Sequence, residues 1–337
     1  MREILRQARN NALLDSLMKK RTMKKVTFII NPVSGLGRQK DIGKIIKSEM
    51  SPNHWDVEIL YTEYSGHARE ITTNLIGKSD MVVAVGGDGT VNEVGSVLVG
   101  TDTALGILPT GSGNGLARFL GMPFKIIKAI QVLNYFERQV IDTIKMNDFY
   151  SLNVAGLGFD AHISHKFASQ KKRGPIAYAQ LITKEFAKYK SSSYTVTING
   201  ETKEWDAFLI SFANSSQWGN NVKIAPKAEI NDGLIDVCII REFPKYTAPA
   251  LLFNLLDQSI DKNRYDFVVK AREITILHDK NLLGHVDGEP VSLGNEVCVK
   301  IVPSSVKVVV PPEHLKQAQN IFTPIIERLP EIQVINP

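Results

Sequence analysis

Cysteine is nearly absent. Only Cys238 and Cys298 occur in 337 residues, each inside an apolar, strand-like run. Two such thiols make neither a disulfide framework nor a Cys-based zinc site, and they fit a reducing compartment. Long hydrophobic runs are also missing. No stretch of about 18 apolar residues exists, so no transmembrane helix is expected. The opening 25 residues lack an apolar centre and a small-residue cleavage site, so no signal peptide is expected. A large excess of one charge is absent too. Forty Lys+Arg against 35 Asp+Glu leave +5, less than a dedicated nucleic-acid binder carries. Familiar nucleotide loops are lacking. There is no Gly-x-x-x-x-Gly-Lys-Ser/Thr loop, and no glycine loop fits Gly-x-Gly-x-x-Gly. Nor is there a His-Arg-Asp and Asp-Phe-Gly pair of the protein-kinase kind.

What is present is ordinary globular composition, with 43% hydrophobic and 22% charged residues, in a length that suits two domains. The charge is unevenly placed. Residues 1–25 hold eight basic and two acidic side chains, and residues 161–190 hold seven and one, so the remainder is net acidic. Two basic patches on an acidic body suit an anionic partner such as phosphate or a membrane surface. A solvated helix face accounts for the same counts.

Residues 1–22 read as a helical extension, with Ile4, Leu5, Ala8, Ala12, Leu13 and Leu17 roughly on one face. Short apolar runs at 26–30, 57–61, 81–85 and 105–108 then alternate with helical patterns at 41–50, 67–76 and 91–98. This alternation predicts a doubly wound parallel sheet over 23–138, whose ligands bind at the carboxyl ends of the strands. After Arg138 the pattern changes to alternating β runs at 194–198, 207–212, 235–240, 267–269, 273–277, 297–301 and 306–310. A mainly antiparallel β domain is therefore expected over 139–305, with helices near 176–189 and 248–260. Residues 306–337, with a helix over 313–328, are expected to return to the first domain.

Three glycine loops follow three of the first strands: Asn31-Pro32-Val33-Ser34-Gly35-Leu36-Gly37, Gly86-Gly87-Asp88-Gly89-Thr90, and Pro109-Thr110-Gly111-Ser112-Gly113-Asn114-Gly115. Glycine lets the backbone approach a ligand, and a helix N-terminus offers free N–H groups, so the loops suit phosphate. Thr90 and Glu93 have the spacing of a capping box. Asp88 would repel phosphate unless a cation such as magnesium lay between them. It could also accept a proton from an attacking hydroxyl, or simply support the turn.

At these residues the chain resembles the diacylglycerol kinase catalytic family, which groups bacterial lipid kinases with sphingosine and ceramide kinases. The carriers are NPVSG at 31–35, GGDGTVNEV at 86–94, LPTGSGNGLAR at 108–118, GLGFDA at 156–161, APKAEINDGLIDV at 225–237 and HVDGEP at 285–290. The resemblance spans roughly residues 24–310. It implies a two-domain kinase, of the plan shared with NAD kinases, that moves the γ-phosphoryl of ATP to a lipid hydroxyl with Mg2+. Asn31, Pro32, Ser34, Gly35, Thr62, Gly86, Gly87, Asp88, Gly89, Thr90, Asn92, Gly111 and Ser112 would line the nucleotide. Glu289, or Asp287 beside it, would be the base, with Asp88 the base proposed in sphingosine kinases. From the residues alone, Asp287-Gly288 is a hairpin turn. Asp160 would approach the lipid head, and Arg173 could meet transferred phosphate or lie on a membrane-facing patch. Asp232, with the carbonyls of Glu229 and Leu234, would hold a structural magnesium.

One departure stands out. Bacterial diacylglycerol kinases often have Gly-Thr-x-Asn-Asp where this chain has Gly111-Ser112-Gly113-Asn114-Gly115. Ser112 and Gly115 look more like the sphingosine-kinase version. The resemblance also implies a cytoplasmic protein that meets the membrane peripherally. Its contacts would be the N-terminal helix, the basic segment 161–190, or the apolar stretch 248–256, for which a core helix is the stronger reading. Homodimerisation stays open. The alternatives are an NAD kinase, which shares a Gly-Gly-Asp-Gly-Thr loop, and a catalytically silent nucleotide-binding lipid sensor. A nucleic-acid partner is not expected.

Overall fold

The computed structural model describes residues 23–35, 41–170, 174–219 and 222–313. The expected helix over 1–22, Arg173, and all but the first residue of the helix expected over 313–328 lie outside them.

The first domain begins with strand β1 (Lys24–Ile30), helix α1 (Ile42–Glu49), β2 (Trp55–Tyr61), α2 (His67–Leu75), β3 (Met81–Gly86), α3 (Asp88–Val97) and β4 (Ala104–Pro109). All pairings among these strands are parallel, in the order β4-β3-β1-β2. Every residue of β3 and β4 is buried, as parallel strands covered on both faces demand. Their valines, leucines and isoleucines form one core with Phe28, Ile42, Ile46, Leu98 and Leu133. Each such burial contributes about 1.5–3 kcal/mol. Helices α4 (Gly115–Phe119) and α5 (Ile126–Tyr135) complete the domain. The strand order reverses between β1 and β3, which opens a crevice at their carboxyl ends.

The chain then enters an antiparallel domain. It contains β5 (Arg138–Met146), β6 (Phe149–Ser151), β7 (Val154–Gly158), α6 (Phe159–Ala168), α7 (Pro175–Lys188), β8 (Ser192–Ile198) and β9 (Glu201–Ala213). A short pair, β10 (Gln217–Gly219) and β11 (Val222–Lys223), precedes β12 (Ile235–Arg241), α8 (Ala248–Leu256), β13 (Asp266–Ala271) and β14 (Glu273–Leu277). The hairpin β15 (Leu283–Val286) and β16 (Glu289–Ser292) leads to β17 (Glu296–Val309). The order is β16-β15-β7-β9-β8-β14-β17, with β12 and β13 branching from β9. Alternating inward side chains build a second core, and an aromatic layer of Phe159, Phe186, Phe208, Tyr189 and Phe243 lies under α6 and α7.

One expectation needs revision. The runs at 297–301 and 306–310 are not two strands. They are one strand, β17, that pairs with β14 at its start and lies parallel to β4 at Val308. β5 follows it through a register shift between Val302 and Val306, where Ser304 takes a positive φ of 49°. The buried Asp142 of β5 fastens this bend. Its carboxylate accepts the N–H of Ser304 at 2.7 Å and of Gly233 at 2.7 Å, and its own N–H donates to Ile230 O. The β5–β17 ribbon thus runs through both domains.

Candidate active site

The three glycine loops meet at the crevice. Asn31 N–H donates to Val85 O, which continues the ladder between loop one and β3. Asn31 Nδ2 donates to Thr90 Oγ1 at 3.2 Å, and Ser34 and Thr110 share a hydroxyl bond of 3.0 Å. Gly111 N–H donates to Gly86 O, and a Cβ on Gly111 would overlap Gly87 Cα. Backbone therefore lies against backbone, which only glycine permits. Thr62 is buried where β2 ends, its N–H on Ile30 O, while Pro32 and Ser112 are exposed on the loops.

The expected capping box does not form. Glu93 instead crosses to α2, where its carboxylate accepts the N–H groups of Gly66 at 2.8 Å and Ala68 at 3.1 Å. Helix α3 starts at Asp88, three residues before the Val91 start that the capping box would give, and has no side-chain cap. That leaves its first N–H groups facing the crevice.

The carboxylates divide into braces and one candidate base. Asp88 accepts the N–H of Asn114 at 2.8 Å and of Gly115 at 2.7 Å, so it braces loop three. Burial pushes its pKa up; those two N–H bonds oppose the rise, and the charge of Asp287 adds to it. Asp287 is engaged further still. Its oxygens accept Asn92 Nδ2, Ser151 Oγ and the N–H groups of Leu152, Asn153 and Val154, at 2.6–3.1 Å. Asp287 and Gly288 both have positive φ, 50° and 85°, between paired Val286 and Glu289, as a type I′ hairpin needs. Asn92 Nδ2 makes two bonds into the other domain, one to Tyr150 O and one to Asp287. Asn92 therefore joins the domains. Glu289, by contrast, is exposed. A Cβ on Gly89 would lie 3.0 Å from Glu289 Cδ, so this carboxylate stands directly over the N-terminal turn of α3.

Other expected site residues fall elsewhere. Asp160 Oδ2 accepts a hydrogen bond from the buried His285 Nε2 at 3.0 Å, and its Oδ1 accepts Ala161 N–H. Asp160 is thus paired with His285 beside β7. Its charge still pushes the pKa values of Tyr178, Tyr189 and Tyr194 up, second to burial for Tyr178 and a smaller cause for the other two. Asp232 does not offer an open metal site. Its Oδ2 is ion-paired with Lys270 Nζ at 2.5 Å, and its Oδ1 accepts Leu234 N–H at 3.0 Å. No group of three or more metal-ligating side chains occurs among the described residues.

Residues without a local signature complete the arrangement. Asn153, buried and bonded to Gln217 O, fills the space beside Gly115. A Cβ on Gly115 would lie 2.6 Å from Asn153 Nδ2 and 3.2 Å from Gln217 O. This accounts for glycine where many bacterial diacylglycerol kinases carry aspartate. Gly115→Ala is expected to destabilise the chain by about 1–3 kcal/mol through overpacking, read as a lowered midpoint in urea unfolding.

The comparisons with known proteins agree with this plan. Residues 25–146 match the diacylglycerol kinase catalytic domain, and residues 153–310 match the YegS C-terminal NAD kinase beta sandwich-like domain. A "Probable lipid kinase YegS-like" of Yersinia enterocolitica is 31% identical over 242 residues, covering 69% of this chain and 79% of its own. A protein of the same name from Klebsiella pneumoniae is 31% identical over 264 residues, covering 77% and 87%. Among solved structures, a diacylglycerol kinase structure from Bacillus anthracis superposes with a TM-score of 0.66 at 22% identity, covering 86% of this chain and 98% of that one. That likeness concerns the fold. With both of its halves matched, the chain belongs to the diacylglycerol kinase catalytic-domain family, alongside the YegS-like lipid kinases, and is a phosphotransferase.

Proposed function

We propose that this protein transfers the γ-phosphoryl group of ATP to the hydroxyl of a membrane lipid, with Glu289 as the base. One observation carries the reading. Glu289 is the carboxylate that a hairpin from the other domain holds, exposed, over the N-terminal turn of α3. The ATP phosphates would lie on the N–H groups of loops one to three. Partial positive charge at the α3 N-terminus would favour charge building up on the transferred oxygens.

In the step itself, Glu289 accepts the proton of the acceptor hydroxyl. The hydroxyl oxygen bonds to the γ-phosphorus while the bond to the ADP oxygen breaks. Positioning by two domains supplies most of the acceleration, because little covalent chemistry falls to the protein. Magnesium bound to the phosphates would neutralise charge, and Asp88 and Glu289 are the carboxylates at that end of the crevice.

The acceptor is a lipid in this reading, so a surface must meet the bilayer. No helix among the described residues is long and apolar enough to cross one. Helix α8 departs from a core helix: Leu251 is buried and Leu255 packs on the aromatic layer, but Leu252, Phe253 and Leu256 are more than half exposed, as is Tyr246 just before it. Lys245 ties this segment to the end of α7 by a 2.5 Å bond to Ala187 O. Lys188 and Lys190 follow there, in the basic segment that an anionic surface attracts. Leu252→Asp with Phe253→Asp is expected to lower binding to anionic vesicles about tenfold or more, with ATP binding unchanged, in a flotation assay.

The function is tested by incubating the chain with magnesium and γ-labelled ATP over vesicles that carry diacylglycerol, monoacylglycerol, sphingosine or ceramide, with NAD separately. Label in a lipid, lost in Glu289→Gln, is the expected result. Label in NAD alone would overturn the lipid acceptor.

A further inference from the structure

The turn 229–234 is where the resemblance puts a structural magnesium, and Asp232 is not open to one. We infer that the ammonium of Lys270 does the work of that cation permanently, so that this turn is fastened without metal. Lys270 lies on β13 directly opposite Asp236 of β12 in the antiparallel ladder. From there its Nζ reaches Asp232 Oδ2 at 2.5 Å and stands 3.8 Å from Asp236 Oδ2. Asp236 is 5% exposed and Asp232 18%, so these carboxylates face little water and need a positive partner. Glu229 adds a third negative charge nearby, on the surface. A lysine delivers one charge and three donors from a fixed strand position, with no ligand shell to complete.

The location explains why a fastening is needed. Asp232 is followed by Gly233, whose φ is +71° and whose N–H donates to Asp142. Asp142 in turn holds the bend of β17 through Ser304 N–H, and Ile230 O accepts the N–H of Asp142. The Lys270–Asp232 pair therefore secures a turn docked on the ribbon that joins the two domains. A divalent ion would have to displace the ammonium before it could ligate Asp232 Oδ2.

The test reads stability, so it stands apart from the acceptor question. The nucleotide-free, full-length chain is unfolded by heat in EDTA and in saturating magnesium. The wild type is expected to melt at the same temperature in both. Lys270→Met is expected to melt about 2–4 °C lower in EDTA and to regain part of the loss in magnesium. Lys270→Met with Asp232→Asn should show no magnesium response, and Lys270→Arg should hold the wild-type value. A wild type that magnesium raises by several degrees, with the rise lost in Asp232→Asn, would overturn the inference. So would a Lys270→Met chain that melts with the wild type or ignores magnesium. Should Lys270→Met fail to fold, wild type against Asp232→Asn in the two conditions still decides.

Discussion

Replacing Glu289 with glutamine should lower kcat by about 10²–10⁴ while the chain stays folded, because a base of this kind contributes that range. Glutamine keeps the shape and removes the ability to take a proton. The side chain is exposed, and its backbone pairing with Val286 does not depend on the carboxylate, so the melting temperature should stay within error. KM for ATP should change little, since Glu289 comes from the hairpin and not from the phosphate loops. Steady-state kinetics and a melting curve on one preparation check both halves. A Glu289→Gln enzyme with wild-type kcat would return the base role to Asp88.

Asp287→Asn should produce the opposite pattern, with stability and activity falling together. Five donors converge on that carboxylate from the hairpin's surroundings and from Asn92 in the first domain. An amide replaces one acceptor oxygen by a donor that faces other donors. Unfulfilled buried donors cost about 1–3 kcal/mol each, and the losses are not additive in a shared network. A loss of about 3 kcal/mol or more is expected in denaturant unfolding. Because Asn92 spans the domains through this group, the two domains should also lose their common transition. A variant with wild-type stability and lost turnover would instead make Asp287 a participant in the chemistry.

The adjacency of these residues in Asp287-Gly288-Glu289 shows how far the sequence reaches. The Asp-Gly pair announces its own hairpin, because positive φ at two successive positions is a local demand that few residues meet. The glycine loops announce themselves similarly, since close backbone approach leaves no room for a Cβ at Gly111. Continuous apolar runs at 81–85 and 105–108 announce strands buried on both faces. Glu93 marks the limit. Its spacing from Thr90 fits a capping box, yet its carboxylate serves the neighbouring helix, because α2 presents unpaired N–H groups within its reach.

What the sequence determined by itself is therefore everything that depends on spacing along the chain: the parallel sheet, the phosphate-type loops at its strand ends, the hairpin, and the family. What the tertiary structure decided is the state of each ionisable group. Asp88, Asp160, Asp232, Asp287 and Glu289 are all carboxylates, and the letters do not say which are already satisfied. Partners 27, 125, 38 and 135 positions away take up Asp88, Asp160, Asp232 and Asp287. The fold also sets Glu289, exposed, over the first turn of α3, because a carboxylate's chemistry is set by its surroundings, and those are assembled from distant parts of the chain.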